Sequence, residues 1–346
     1  MQAIILTDIK KLELRDIPSP KITSDKDILL KTKSVGVCGS DVHYYETGRI
    51  GSQVVQFPFI VGHECSAIVT ETGKGVTRVK VGDMVAVDPA MVCHECDQCR
   101  QGRENTCRNL RFLGCPGQAD GCLSEYFVMP EDSLFPLHGK ITSDQAVLSE
   151  PLSIAVYAVK QSQFSPSANI AVLGAGPIGL GVMAAAQFQG INDIYMTDRI
   201  DDRVLIAQKA HARWCGNPDG ENIVDTIMNQ QPAGIDAVFE CAGQQDALDQ
   251  ALDLLKPGGK LMLIGIPREE RISFIIDRLR RKEITLINVR RQNNCVQPAI
   301  DMIAAGRVDV DYMVTHRFRP EQAQEAFDMV AGYEDGVIKA LIDFHT

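Results

Sequence analysis

At 346 residues the chain is too long for one ordinary hydrophobic core, which stops growing near roughly 250 to 300 residues, and is comfortable for two domains. Hydrophobic residues make up 45% and charged residues 23%, an ordinary globular composition, and no apolar run approaches the roughly 18 residues that a membrane span needs. A net charge of −10 opposes general attraction to nucleic acid or anionic lipid and leaves small molecules as the expected partners.

The first residues, Met1-Gln2-Ala3-Ile4-Ile5-Leu6-Thr7-Asp8, lack the basic and long apolar regions of a secretory signal, so a cytoplasmic location is expected. Residues 1 to about 150 alternate short β-rich stretches with Gly and Pro punctuation, as in 27–35 and 82–88, which predicts a β-rich domain with long loops. Within it, Cys38-Gly39-Ser40-Asp41-Val42-His43 places a soft ligand, a hydroxyl and an imidazole within six residues. Val61-Gly62-His63-Glu64 adds a second imidazole beside a carboxylate, and Glu150-Pro151 follows at the end of this half. A catalytic zinc takes about three protein ligands and one open position, for which Cys38, His63 and a glutamate suffice. Each of these alone is also commonplace, as a buried thiol, a core histidine or a surface acid.

Cys93, Cys96, Cys99 and Cys107 form a C-x2-C-x2-C-x7-C run. Eleven cysteines, four of them crowded into fifteen residues, do not space out like a disulfide scaffold. Four such sulfurs can surround one tetrahedral Zn²⁺ with no open position, which makes the site structural; reduced cysteines on a surface loop are the alternative.

From Asn169 the pattern changes. Short apolar runs at 170–173, 194–197, 237–240 and 261–264 are separated mostly by helical periodicity, which predicts βαβ units and a buried parallel sheet. The first run leads into Gly174-Ala175-Gly176-Pro177-Ile178-Gly179, a G-x-G-x-x-G opening a helix over 177–189, with Gly190 as its stop. Gly174 permits the tight turn, Gly176 lets the backbone approach a pyrophosphate, and Gly179 lets helix and strand pack closely. Asp198, at the end of the next run, can accept both adenosine ribose hydroxyls and repel a 2′-phosphate, favouring NAD over NADP; Arg199 beside it could instead welcome that phosphate. A helix over 245–255 ends at Lys256-Pro257-Gly258-Gly259. Gly243 and Gly265 either border the cofactor or serve only as strand-end turns. A helix over 299–304 and the run 313–318 close the chain, and the apolar spacing of that run suits either domain.

Taken together, 38–43, Gly48-Arg49-Ile50-Gly51, 62–64, the four-cysteine lobe, Glu150-Pro151-Leu152-Ser153, the Gly174 motif and 236–243 resemble the zinc-dependent medium-chain dehydrogenases, and within them the sorbitol and related polyol dehydrogenases. The resemblance spans nearly the whole chain. It implies an α/β architecture: a GroES-like β-rich catalytic domain from 1–155 and 290–346, and a doubly wound Rossmann domain, 156–289, that binds NAD. It further implies one catalytic Zn²⁺ on Cys38, His63 and Glu64 or Glu150, and one structural Zn²⁺ on the four cysteines. By position, Glu150 matches a carboxylate that ligates the metal or holds its water, and Ser40 and His43 match a proton relay. Tyr44, Arg49, Phe112 and Arg291 fall where the polyol subgroup lines its substrate pocket, although Gln292 stands where an aromatic residue is usual. The implied activity is transfer of a hydride from a secondary hydroxyl of a sorbitol- or xylitol-like polyol to NAD, giving a ketose, in a homotetramer or dimer. The alternatives are a threonine or butanediol-type alcohol dehydrogenase and a non-enzymatic zinc- and dinucleotide-binding redox sensor. That last class would leave the catalytic position empty, whereas Cys38, His63, both glutamates and the relay are all present.

Overall fold

A computed structural model describes residues 1–344. The chain divides into two compact units, one built from 1–150, 299–304 and the residues from 310 onward, the other from 151–298 and 305–309.

The first unit is organised around the strand Asp27–Gly36, where Ile28, Leu30, Thr32 and Ser34 are buried and the intervening side chains are only partly covered. This period of two is what a strand with one face in the core requires. The sheet runs Leu134–Pro136, Met84–Val87, Glu64–Thr72, Asp27–Gly36, Lys339–Asp343, Val314–Phe318. Tyr126–Pro130 pairs with the first half of the central strand, and Lys339–Asp343 with its last residues. The run around 313–318, open to either domain on sequence grounds, thus joins the first unit's sheet through parallel pairing of Val314–Phe318 with Lys339–Asp343. The helix Gly39–Thr47 starts where Cys38 stays extended and Asp41 reaches back to the Cys38 N–H, a capping box. It stops at Gly48, whose φ of 69° is the left-handed conformation a glycine C-cap adopts freely.

In the second unit six parallel strands lie in the order Trp214–Gly216, Ile194–Thr197, Ile170–Leu173, Ile235–Glu240, Leu255–Leu263, Thr285–Asn288. Ile170–Leu173 and Ile194–Thr197 are buried at every residue, which explains why they read as continuous apolar runs rather than alternating ones. The order reverses between Ile170–Leu173 and Ile235–Glu240, the switch point at whose carboxyl end ligands of doubly wound sheets bind. Pro257 and the glycines after it do end the helix Gln245–Leu254, yet the chain passes directly into the strand Leu255–Leu263. Those residues form an irregularity between Leu255, paired with Ile235, and Lys260, paired with Ala237, so a Pro-Gly-Gly is accommodated inside a strand.

Candidate active site

The four cysteines of the lobe are brought together by short elements. Cys96 caps the helix Asp97–Arg100, and Cys107 follows the 3-10 turn Glu104–Thr106. Their sulfurs lie 3.6 Å apart for Cys96 and Cys99, 4.0 Å for Cys96 and Cys107, and 3.4 Å for Cys93 and Cys107. A tetrahedron with Zn–S bonds of about 2.3 Å has edges of about 3.8 Å, so these spacings fit one four-thiolate zinc. Backbone N–H groups of Arg108 and Cys99 lower the Cys96 thiol to about 6, while desolvation and the neighbouring sulfurs push Cys99 up to about 12. Four crowded sulfurs that cannot all ionise together are the electrostatic problem a divalent cation removes.

A second donor cluster combines Cys38, His63 and Glu64, whose ligating atoms all lie within 4.8 Å of one another. Cys38 arrives from the start of the helix Gly39–Thr47; Glu64 opens the strand Glu64–Thr72, with His63 just before it. One thiol, one imidazole and one carboxylate fit a zinc with a position to spare. Asp41, fully buried, ties the cluster together: Oδ1 accepts from the Gly62 N–H at 3.2 Å and lies 3.3 Å from His63 Nδ1, without a hydrogen bond of good geometry to that nitrogen. A carboxylate behind a histidine in this way orients the ring for a metal on its other nitrogen. Burial opposes charge on His63, but Asp41 and Cys38 outweigh it and raise its pKa well above the usual value.

Lys339 closes the cluster from the far end of the chain. Its Nζ donates to Glu64 Oε2 at 2.5 Å and to the Val37 carbonyl at 3.2 Å, and the pair is almost wholly buried, with side-chain exposures of 2% and 1%. Burial works against the ammonium, while Glu64 raises its pKa. Gly36 makes room for this pair, because a Cβ there would meet Glu64 Oε2 at 2.4 Å. Glu150 lies outside the three-donor cluster; burial pushes it up to about 7, with His63 and Lys339 pulling against this and Glu64 and Asp88 adding to it.

Ser40 Oγ donates to Cys38 Sγ at 3.3 Å, and half-buried His43 sits one turn later on the same helix. The Phe112 ring packs 5.5 Å from that of His63, and Tyr44 Oη donates to Gln53 Oε1 at 3.1 Å. Arg49 is exposed on the short strand after the helix. Arg291 belongs to the second unit, in a left-handed turn with φ of 52°, and Gln292 beside it is buried with Oε1 accepting from the Cys295 N–H at 2.7 Å. Gln292 therefore shapes a turn where an aromatic residue was expected.

In the second unit the Gly174 N–H donates to the Thr197 carbonyl at 2.8 Å, and Gly174 takes φ of 104°. A Cβ on Gly179 would fall 1.8 Å from the Gly174 carbonyl oxygen, so glycine there is demanded by the protein's own packing. At Gly176 a Cβ would meet only Arg203 Nη1, at 3.3 Å. The space above Gly176 is therefore left for something else, as a dinucleotide pyrophosphate requires, with Pro177 and Ile178 opening the helix behind it. Gly176→Ala is expected to leave the thermal unfolding midpoint unchanged and weaken NADH about tenfold or more, whereas Gly179→Ala costs about 3 kcal/mol of stability. Melting curves with NADH titrations test this; equal behaviour of both variants contradicts the division. Asp198 is held ready at the end of its strand, Oδ2 accepting from the Ala175 N–H at 2.7 Å and Oδ1 from the Ile200 N–H at 2.9 Å. Gly243 and Gly265 pack against each other, a Cβ on Gly265 meeting the Gly243 nitrogen at 2.3 Å, so a strand-end turn already accounts for both glycines.

Asp41, Lys339 and Arg203 are functional candidates that the sequence reading does not single out. Asp41 carries a local signal, as the acid at the third position of the helix that Cys38 caps. Lys339 carries none, since 275 residues separate it from Glu64. Arg203 is signalled only by its place on the first turn after Asp198.

A β-rich unit with a closed cysteine site and an open mixed-donor site, joined to a doubly wound sheet with a dinucleotide turn, defines a zinc-dependent nicotinamide dehydrogenase. Residues 24–139 match the family model of the alcohol dehydrogenase GroES-like domain, and 177–305 that of the zinc-binding dehydrogenases. The chain is 34% identical over 345 residues to sorbitol dehydrogenase of Bacillus subtilis (strain 168), covering 99% of this chain and 97% of that one. It is likewise 34% identical over 334 residues to D-xylulose reductase A of Aspergillus oryzae, covering 95% and 93%. Its fold is similar to that of 2R,3R-butanediol dehydrogenase from Bacillus subtilis, with a TM-score of 0.90, 29% identity and 99% of each chain covered. The chain belongs to the zinc-dependent medium-chain dehydrogenase family. Among the described residues no helix is long and apolar enough to cross a membrane.

Proposed function

We propose that this dehydrogenase oxidises a secondary hydroxyl of a sorbitol- or xylitol-like polyol to the ketose, with NAD taking the hydride. The observation that carries this reading is the three-donor cluster of Cys38, His63 and Glu64 with the Ser40 hydroxyl set against it, and its likeness to sorbitol dehydrogenase and D-xylulose reductase supports the substrate class. A bound Zn²⁺ supplies Lewis acidity that brings a hydroxyl's pKa toward neutrality, and NAD supplies the carbon that accepts the hydride.

The chain's own residues supply the rest. Cys38, His63 and Glu64 hold the cation, Asp41 fixes the His63 ring, and Lys339 sets the position and charge of Glu64. Glu150, buried and electrostatically coupled to His63 and Glu64, would either ligate the cation or hold its water. Ser40 would relay the hydroxyl proton, taking it as its own proton passes on, with His43, at i+3 on the same helix, as the final acceptor. Tyr44 and Phe112 give the site an apolar wall, and Arg49 is a donor for the remaining hydroxyls. Gly174, Gly176 and the helix behind them hold the pyrophosphate, and Asp198 the adenosine ribose. None of the eleven cysteines forms a disulfide, in keeping with the reducing cytoplasm. The exposed Ile275 and Ile276, and the outer edge of the sheet at the strand Thr285–Asn288, support assembly into a dimer or tetramer.

The test is NADH formation over a panel of polyols, threonine and 2,3-butanediol, before and after chelation and zinc restoration. Chelator-sensitive oxidation of one polyol is expected. The second reading rests on the weaker likeness, 29% identity, to butanediol dehydrogenase, and turnover of butanediol with none of any polyol would select it.

A further inference from the structure

Two features bear on cofactor choice in opposite directions. Asp198 suits a ribose with a free 2′-hydroxyl, while Arg199, the next residue, has the charge and fork of a 2′-phosphate ligand. The structure gives that guanidinium a different partner. Arg199 Nε donates to both carboxylate oxygens of Asp219, at 3.0 and 2.9 Å, and Nη2 lies 2.9 Å from Oδ1.

The pairing is held in place by the backbone. Thr197 and Gly216 are partners in neighbouring parallel strands, so the turns that follow them, carrying Arg199 and Asp219, emerge side by side. Asn217 fastens these turns together: its Nδ2 donates to the Arg199 carbonyl at 3.0 Å and to Asp201 Oδ1 at 2.6 Å, and its Oδ1 accepts from the Asp219 N–H at 2.9 Å. Asp219 is thus presented to Arg199 by a tethered loop rather than by a free side chain on an open surface.

We propose that Asp219 is a specificity-determining residue that keeps the enzyme on NAD by occupying Arg199 and by adding a second carboxylate against a 2′-phosphate, an assignment that rests on the NAD reading given above. Asp198 selects for the free hydroxyl; Asp219 withholds a neighbouring group that would reward the phosphate. Because the side chains of Arg199 and Asp219 remain 60% and 54% exposed, their pairing adds little to folding, and Asp219 can be replaced without loss of the fold.

The measurement is binding of NADH and NADPH to the zinc-loaded protein, followed by the fluorescence of Trp214, the sole tryptophan, in the strand that ends at Gly216. Wild type, Asp219→Ala, Arg199→Ala and the double variant form a cycle. In Asp219→Ala, NADPH is expected to tighten roughly tenfold while NADH stays within about twofold, and the double variant to lose that gain. A wild type that prefers NADH, with no tightening of NADPH in Asp219→Ala, overturns the assignment. So does a gain that persists without Arg199, which would reduce Asp219 to a bare charge. A wild type that prefers NADPH overturns the NAD reading itself, a result separable from either of these.

Discussion

Cys38→Ser abolishes turnover, by about a thousandfold or more in kcat/KM, and leaves the thermal unfolding midpoint nearly unchanged. Cys38 would supply the sulfur ligand of the three-donor cluster, and the Gly39–Thr47 helix that presents it is held by Asp41 and Gly48 independently of any metal. Cys96→Ser behaves in the opposite way. The lobe around Cys96 has little core of its own: the helix Asp97–Arg100 contains no buried residue, so the cross-link between four sulfurs is what fixes the loop. Removing one sulfur should release about one zinc per chain and lower the unfolding midpoint by several degrees, on the order of 5 °C, with activity lost in parallel with structure. Metal analysis, calorimetry and kinetics on both variants test the division of labour. Equal losses of folding in the two would contradict it.

In the metal-free protein, where no cation shares Glu64, Lys339→Met destabilises the first unit by about 3 to 5 kcal/mol, lowering its melting temperature by roughly 10 °C. The ammonium is the direct partner of Glu64 Oε2 in a pocket almost closed to water, so its removal leaves a carboxylate that must either stay charged without compensation or take up a proton. Methionine keeps most of the volume, so the loss reports electrostatics rather than a cavity. Pairing it with Glu64→Gln should recover most of the stability without restoring activity, since an amide needs no buried cation but is a poor metal ligand. A melting temperature for Lys339→Met within about 2 °C of wild type would show that water or a shifted proton already compensates Glu64.

What the sequence makes legible is what is local. The cysteine spacing encodes a closed metal site because its four donors lie within fifteen residues, and the Gly174 motif encodes a dinucleotide turn because strand, turn and helix follow one another without a gap. The same locality explains the register from Asp198 back to Ala175, which needs only two adjacent strands. What cannot be read from spacing is the long-range closure of the catalytic cluster. Lys339 lies in a run, Lys-Ala-Leu-Ile-Asp, that looks like any short strand with a solvated lysine at its start; only the pairing of Leu341 with Gly36 turns it inward beside Glu64. The placement of 313–318 is illegible for a related reason, because its apolar spacing is compatible with two sheets and tertiary pairing alone chooses one. Pro257-Gly258-Gly259 misleads in the other direction: residues that stop a helix do not thereby exclude a strand, if the strand can bulge around them.

The strand Lys339–Asp343 lies between Asp27–Gly36 and Val314–Phe318, inside the sheet that carries Glu64. During synthesis at roughly 5 to 20 residues per second, the 275 residues between Glu64 and Lys339 take about 15 to 60 s to emerge. For that interval the ligand-bearing strand Glu64–Thr72 has its neighbours from 27–36 and 84–87 but lacks the cation meant for its first residue, while the entire nucleotide-binding sheet of 170–288 is made and can fold. The charge that balances Glu64 therefore arrives late, after all six strands of the second unit's sheet have been made, and nascent chains stalled before 339 would carry Cys38, His63 and Glu64 without it.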